Sequence, residues 1–418
     1  MRRGVKPGLW LRLTALLAMA LSLSGCDLNS DGPPVVLYAA VAVNSEDAIS
    51  SETHRRFNER LNVVVEDFRR LHPSIHVQIA LYPEHNLLQE LKRRDDADLG
   101  PDLLLTNSRM SKQLLEEGLT DPIPKTQNLP SQLLPDILSE VSMPGGVIAA
   151  EPVVLYPQLA CFNRDVITTP PRTMRDLLVI SAAGTPVGLT TKVEELLWTA
   201  GSLNALDALA DARSGLSLNA TERQALMGWL RWLQQASTMQ RLTFHSNQTV
   251  LREGLQRGEY AWISCSSMDI QTLKQSMGRR LGVSPLPNGR HHVASPINQI
   301  RVLALGQDSS ARQREASLRF LNYIAQPQVQ RDLSLRSFSF LPVNPFVTVP
   351  VESSSILRSM VTAREQAADS QPSLSIISSY GEASRSIQTL LVPLIFGVST
   401  PEETADALIK ALQQEVQP

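Results

Sequence analysis

The sequence predicts an α/β fold carried on two lobes. A continuous apolar run with β-branched content, residues 35–43 (VVLYAAVAV), reads as a buried strand of parallel type. Strand-like and helical patterns then alternate, which points to an open sheet covered by helices. Roughly 385 residues follow position 34, a length that suits two cores better than one.

The elements follow in order. After the polar turn Asn44-Ser45-Glu46-Asp47, residues Phe57, Leu61, Val64, Phe68 and Leu71 fall on one helical stripe. His72-Pro73 ends that helix, because proline disfavours a helical residue before it. Ile75, Val77, Ile79 and Leu81 alternate as a second strand. A helix is expected near 86–95, and Asp102–Leu105 forms a third strand after Gly100-Pro101. Val147–Ala150 and Val153–Phe162 are strand-like, and 190–236 reads as helical. Trp229 and Trp232 read as core; Trp198, in the apolar stretch ELLW, reads as core with a place lining the cleft as the alternative. Tyr260–Cys265 and Arg301–Leu305 are further strands, with a helix near 311–325. The last helix has Thr400 as N-cap, Pro401 in its first turn and Glu403 completing a capping box. Ala405, Leu408, Ile409 and Leu412 supply its apolar stripe.

The start of the chain reads as a secretory signal. Arg2, Arg3, Lys6 and Arg12 precede the apolar run of residues 13–23, and small residues follow. That run is about half of what a spanning helix requires. Leu23-Ser24-Gly25-Cys26 resembles the bacterial lipobox, in which the cysteine becomes the lipidated first residue of the mature chain. Asp27 resembles a signal for retention on the inner membrane of enteric bacteria.

Composition excludes several classes. The chain holds 39 basic and 41 acidic residues, and four of the basic ones lie in the signal, so the remainder is net acidic. Nucleic acid is therefore not its partner. No G-x-S-x-G elbow, acid pair or Cys-His arrangement stands in a supporting context, so the chain reads as no enzyme, with no cofactor. His291-His292 has no His or Cys partners at ligand spacing, and Asp95-Asp96-Ala97-Asp98 lacks the Gly and distal Glu of a calcium loop; no metal is expected. Cys161 and Cys265 read as two buried thiols, with a bond between them as the alternative.

Short motifs occur in a fixed order along 35–415. They are the helix of 55–71 leading into His72-Pro-Ser-Ile-His-Val77, then Gly100-Pro-Asp102 and Gly118-Leu-Thr-Asp-Pro122. Phe162-Asn-Arg-Asp165 precedes Pro170-Pro-Arg-Thr173; Gly258-Glu-Tyr-Ala-Trp262 precedes Gly282-Val-Ser-Pro-Leu-Pro287. Phe320-Leu-Asn-Tyr323, Gln328–Gln330, Leu341-Pro-Val343, Tyr380, Gly397 and Pro401-Glu-Glu-Thr-Ala405 close the series. Together they resemble the bacterial extracellular solute-binding proteins of family 1, the maltose-binding-like capture subunits of ABC importers.

That resemblance implies a two-lobe periplasmic-binding-protein fold, of the class with three crossing segments, and a ligand cleft between the lobes. Crossings would lie near 148–153, 290–298 and 344–350. It divides the chain into a lipoprotein signal peptide (1–25), a tether (26–34), lobe 1 (35–150 plus 297–345) and lobe 2 (151–296 plus 346–418). It implies a monomeric, lipid-anchored subunit on the periplasmic or extracellular side of the cell membrane, capturing a sugar or polyol by hinge closure. The chain has no G-x-x-x-x-G-K-[ST] loop, so permease subunits with a separate ATPase would drive import. Two alternatives stand beside this. Arg109, Arg301 and Arg336 could line a basic cleft for a phosphorylated or anionic solute. A sensory or interaction lipoprotein could also keep the fold without transport. Met174, where the family often has Trp, and Ser264-Cys-Ser-Ser-Met268 depart from the pattern and imply a smaller or more polar solute than a maltooligosaccharide.

Ligands at open α/β sheets bind beyond the carboxyl ends of the strands. The candidate contacts are Asn44, Ser45 and Glu46; Glu84 and His85; and Thr106, Asn107, Ser108 and Arg109. Tyr156 and Gln158 follow the first crossing, Ser266 and Met268 end a strand of lobe 2, and Asn298, Gln299 and Arg301 lie at the second crossing. Arg336 precedes Leu341-Pro342, and Tyr380 begins a helix that the family turns toward the cleft.

Overall fold

Strand β1 (Val35–Val43) is buried over most of its length because it is flanked on both sides, by parallel β2 (Ile75–Pro83) and parallel β3 (Leu103–Asn107). This is the environment its apolar run anticipates. The computed structural model describes residues 33–43, 51–125, 133–337, 339–378 and 381–414. The signal segment with Cys26, the turn Asn44–Glu46 and Tyr380 lie outside those residues.

Helix α1 (Ser51–Leu71) joins β1 to β2. Its Phe68 is fully buried and meets Phe320 and Tyr323 of α11 (Ala311–Ala325) at ring separations of 4.9 and 5.4 Å. Leu71, expected on the same stripe, is 62% exposed, because it is the last residue before the chain turns into β2. A single 3₁₀ turn precedes α2 (Leu87–Asp95), and α3 (Ser108–Glu116) follows β3 directly. Asp102, just before β3, is 4% exposed and knits three segments together. It accepts from the Tyr38 N–H at 2.8 Å and from the Ser309 hydroxyl at 2.7 Å. The short β4 (Thr120–Asp121), helix α4 (Pro135–Val141) and hairpin β5 (Ser142–Met143)–β6 (Val147–Ile148) complete this region. Gly145 and Gly146 take left-handed φ of 78° and 72° at the hairpin's turn, a conformation that glycine adopts without steric cost.

Strand β7 (Glu151–Asn163) is the spine of the molecule. The sheet order is β2-β1-β3-β12-β7-β10-β8-β9, so one continuous sheet runs through both halves. In the first half, β12 (Asn298–Gly306) is antiparallel to both β3 and β7. In the second, β10 (Trp262–Ser266) and β11 (Leu281–Ser284) run antiparallel to β7, while β8 (Val187–Thr190) and β9 (Leu242–His245) continue in parallel from β10. Strand β13 (Leu341–Pro342) returns to pair with Leu155 and Val154.

The segment expected to be one long helix over 190–236 is three helices: α6 (Val193–Ser202), α7 (Leu206–Arg213) and α8 (Ala220–Ser237). Its first residue instead ends β8. Asn204, at φ 61°, and Gly215, at φ 77°, break the helical pattern between them. Trp198, Trp229 and Trp232 are buried, and the Trp229 indole N–H donates to Thr199 at 2.8 Å. Helices α5 (Met174–Ala182), α9 (Gln248–Arg257) and α10 (Ile270–Met277) flank this sheet, and α12 (Pro327–Ser337) follows α11. Helices α13 (Ser355–Ala368), α14 (Gln371–Ser378) and α15 (Gly381–Ile395) lead to α16 (Pro401–Gln414). Thr400 and Glu403 form the reciprocal capping bonds expected of them.

Cys161 and Cys265 are bonded, not free: a disulfide with Cα atoms 5.8 Å apart joins β7 to β10. Adjacent antiparallel strands bring two residues remote in sequence within bonding reach, which spacing along the chain does not reveal. Met174 is 4% exposed within the second apolar cluster, beneath α5. A side chain there faces the core, so the absence of Trp at this position removes no stacking surface.

Candidate functional site

The spine strand changes partners halfway along. Leu155, Tyr156 and Pro157 pair with Ile300, Gln299 and Asn298 of β12; Gln158, Leu159 and Ala160 pair with Ser266, Cys265 and Ser264 of β10. A pocket, partly open to solvent, lies at this switch. Tyr156 and Gln158 line it from β7, and Ile297 and Gln299 from the start of β12. Ser266 and Cys265 come from the carboxyl end of β10, Glu194 and Glu195 from beyond β8, and Gln248 from beyond β9. Three strand ends thus converge where an open α/β sheet binds ligands.

Gln158 organises this pocket. It is 7% exposed; its side-chain amide donates to the Glu195 carbonyl at 2.6 Å, and its Oε1 accepts from the Ile297 N–H at 3.2 Å. Tyr156 stands edge-on to Phe340, with ring centroids 5.8 Å apart. The Ser266 hydroxyl oxygen accepts from the Met268 N–H at 3.2 Å and starts the turn into α10, in which Met268 is half-buried. Asn298 is half-buried, and its Oδ1 is buried without a hydrogen-bond partner among the described residues.

A second pocket, of about 620 Å³ and more open, lies at the carboxyl ends of β2 and β3. Glu84, His85, Asn107 and Arg109 line it, with Met110 and Gln113 of α3. Asn107 caps α3 by accepting from the Met110 N–H at 2.8 Å, and its amide donates to Glu84. Ser108 donates to Glu140 of α4 at 3.3 Å. Arg301 interacts electrostatically with one residue of each pocket, Glu84 and Tyr156. Its guanidinium donates to the carbonyls of Ala42 and Leu105, and burial lowers its pKa, against the charges of Glu84 and Tyr156.

Three expected contacts are placed elsewhere. Thr106 is fully buried, because β3 continues two residues beyond Leu105 and turns this side chain into the core. Arg336 is 56% exposed and pairs with Asp67 of α1 at 3.4 Å, on the outer face of its helix. Arg301 is held by two backbone carbonyls and does not line either pocket. The basic cleft of three arginines is therefore not assembled; Arg109 alone lines a pocket. Sequence reasoning missed Glu194, Glu195 and Gln248. The strand-end rule that selected Glu84 and Asn107 also selects these, once β8 and β9 are recognised as strands. Gly188 inside β8 weakened its strand signal.

No group of three His, Cys, Asp or Glu side chains among the described residues could hold a metal ion. No helix among them is long and apolar enough to cross a membrane.

A two-lobe α/β body with a polar pocket at the crossing strand defines a class of capture proteins. The chain belongs to the family described as bacterial extracellular solute-binding protein, whose profile matches residues 64–355. Its fold is shared with the GacH receptor of Streptomyces glaucescens, solved unliganded and with acarbose: TM-score 0.71 at 16% identity, covering 91% of this chain and 98% of that one. The sugar-binding protein MalE of Xanthomonas citri superposes with TM-score 0.66 at 15% identity, over 91% and 97% of the two chains. An ABC transporter solute-binding protein of Thermotoga lettingae, bound with α-D-tagatose, gives 0.65 at 14% identity, over 91% and 99%. No curated protein matches the sequence. The maltose-binding-like two-lobe fold expected from the motifs is confirmed.

Proposed function

We propose that the protein is the lipid-anchored capture subunit of an ABC importer, closing two lobes around a sugar or polyol. The pocket at the partner switch of β7 carries this reading. Its lining combines one aromatic face, Tyr156, with the amides of Gln158, Gln248 and Gln299, the Ser266 hydroxyl and two carboxylates. Such a set stacks on a ring and hydrogen-bonds its hydroxyls. The resemblance in fold to proteins described with acarbose and with tagatose supports the same class of solute. Capture, with no chemical turnover, is the role. Permease subunits and a separate ATPase are the partners, and a monomer suffices. The lipobox ending at Cys26 supports attachment to the cell membrane, facing the periplasm or exterior. Glu84, His85, Asn107, Ser108 and Arg109 at one set of strand ends, with Asn44, Ser45, Glu46 and Tyr380, are proposed to contact the solute on closure.

Thermal unfolding of the full chain in detergent, against a panel of sugars, polyols and sugar phosphates, tests this. Binding to the native state alone stabilises it by mass action, by about 2.7 kcal/mol at a hundredfold excess over Kd, and so raises the melting temperature. A rise with one sugar or polyol is the expected result. Silence across the panel would favour the sensory reading. Cys26→Ser should move the protein from the membrane fraction to the soluble fraction.

A further inference from the structure

Hydrogen-bond donors and acceptors in the β7 pocket are unequally committed. Gln248 donates its amide to the Ser264 carbonyl at 2.6 Å, which leaves its Oε1 buried and without a partner. Gln158 has both ends of its amide engaged by backbone. Glu194 is half-buried and has no hydrogen-bond or ion-pair partner among the described residues. No Lys or Arg among the described residues lines the pocket. Lys192, on the same turn as Glu194, already has a partner, and Arg301 commits its guanidinium to two carbonyls beside the opposing charge of Glu84. Beside the Ser266 hydroxyl and the exposed Gln299 amide, the pocket holds in reserve a buried acceptor and a negative charge with no matching cation among the described residues. A solute that supplies only acceptors would leave both unmet, at the cost of a buried unsatisfied group.

We propose, resting on the capture reading above, that the solute is an amine-bearing sugar or polyol. Its ammonium N–H groups are received by Glu194 and by Gln248 Oε1. A charge-assisted bond in a partly desolvated pocket is stronger than the neutral hydroxyl contact it replaces. The same carboxylate turns phosphorylated sugars away, which makes the pocket selective by charge as well as by shape.

Calorimetric titration of the full chain in detergent tests this with matched pairs: glucose and glucosamine, N,N′-diacetylchitobiose and its deacetylated form, and glucose 6-phosphate. The amine of at least one pair should bind about fivefold or more tighter than its neutral partner. Glu194→Gln should bring the ratio of amine to neutral affinity down to about one, whatever it does to the neutral partner's own affinity, because only the ammonium loses a charge partner. Raised salt should narrow the gap, since the ion pair is partly exposed. Equal or tighter binding of the neutral partner overturns the inference and leaves the capture reading standing. A preference that survives in Glu194→Gln overturns it likewise. Tightest binding of the phosphate overturns it too, and restores the anionic alternative. Silence from every compound removes the capture reading, and this inference with it.

Discussion

Gln158 Nε2 donates to the carbonyl oxygen of Glu195 across 2.6 Å, and through this bond the spine strand fixes the turn that follows β8. The other end of the same amide accepts from Ile297, where the chain enters β12. One side chain thus holds three segments that bound the pocket. Gln158→Leu keeps the volume but leaves the Ile297 N–H unpaired and removes the tie to the Glu195 carbonyl. We expect a loss of about 1–3 kcal/mol in urea unfolding. Solute affinity should fall with it, because Glu194 and Glu195 are no longer positioned.

Glu151, at the start of β7, is 4% exposed, and burial pushes its pKa from the ordinary 4.5 up to about 8. The folded protein therefore holds this proton at pH values where the unfolded chain has released it. Stability from this group is fully present below about pH 4.5 and is lost as pH rises toward 8. Glu151→Gln mimics the protonated form. It should stabilise the protein by roughly 2–4 kcal/mol at pH 8 and change little at pH 4.5. Equal gains at both pH values would contradict the assignment.

The disulfide between Cys161 and Cys265 closes a loop spanning 104 positions and ties β7 to β10. Cross-links over long loops stabilise chiefly by restricting the unfolded chain. The double variant Cys161→Ser/Cys265→Ser should lose about 2–5 kcal/mol against denaturant. A reducing agent should reproduce this loss in the parent and have no effect on the variant. Cys265 also lines the pocket, so its loss should lower solute affinity alongside stability.

The α/β class and the two-lobe plan were legible in the sequence because they rest on local signals. The apolar run of β1, the proline that ends α1 and the capping box of α16 each report their own element. The pocket was legible only in part. Tyr156, Gln158, Ser266 and Gln299 reach it from strands whose patterns are plain. Glu194 and Gln248 stand on the first turns of α6 and α9, just beyond strands of four residues each, too short to give a clear alternation. Arg336 and Thr106 were misplaced for a different reason. Which face a side chain takes is decided by a one-residue difference in strand length or by a partner far away, here Asp67. The bond between Cys161 and Cys265 depends on the pairing of β7 with β10, which no local pattern reports.

Glu140 supplies the last prediction. It lies on α4, whose Ile137 and Val141 belong to the apolar cluster around β1 and α1. It accepts from Ser108 on one side and from the amide of Gln371 on the other. Gln371 begins α14, whose Leu374 and Ile377 are packed in the other cluster, with Leu209 of α7. The Glu140–Gln371 bond therefore joins α4, which packs on the β1 side of the sheet, to α14, which packs against α7, at a point away from the crossing strand. A bond of this kind exists only when the two bodies are close together, so it adds to the closed form and not to the open one. Removing it should shift the balance toward open without unfolding either body. We expect Glu140→Ala to keep the parent's melting temperature to within about one degree, since a single partly exposed bond contributes on the order of 1 kcal/mol or less. The radius of gyration of the unliganded protein, read by small-angle scattering, should rise, and any solute that binds should do so several-fold more weakly. An unchanged scattering curve would mean that the bond follows the approach of α4 and α14 and contributes nothing to holding them.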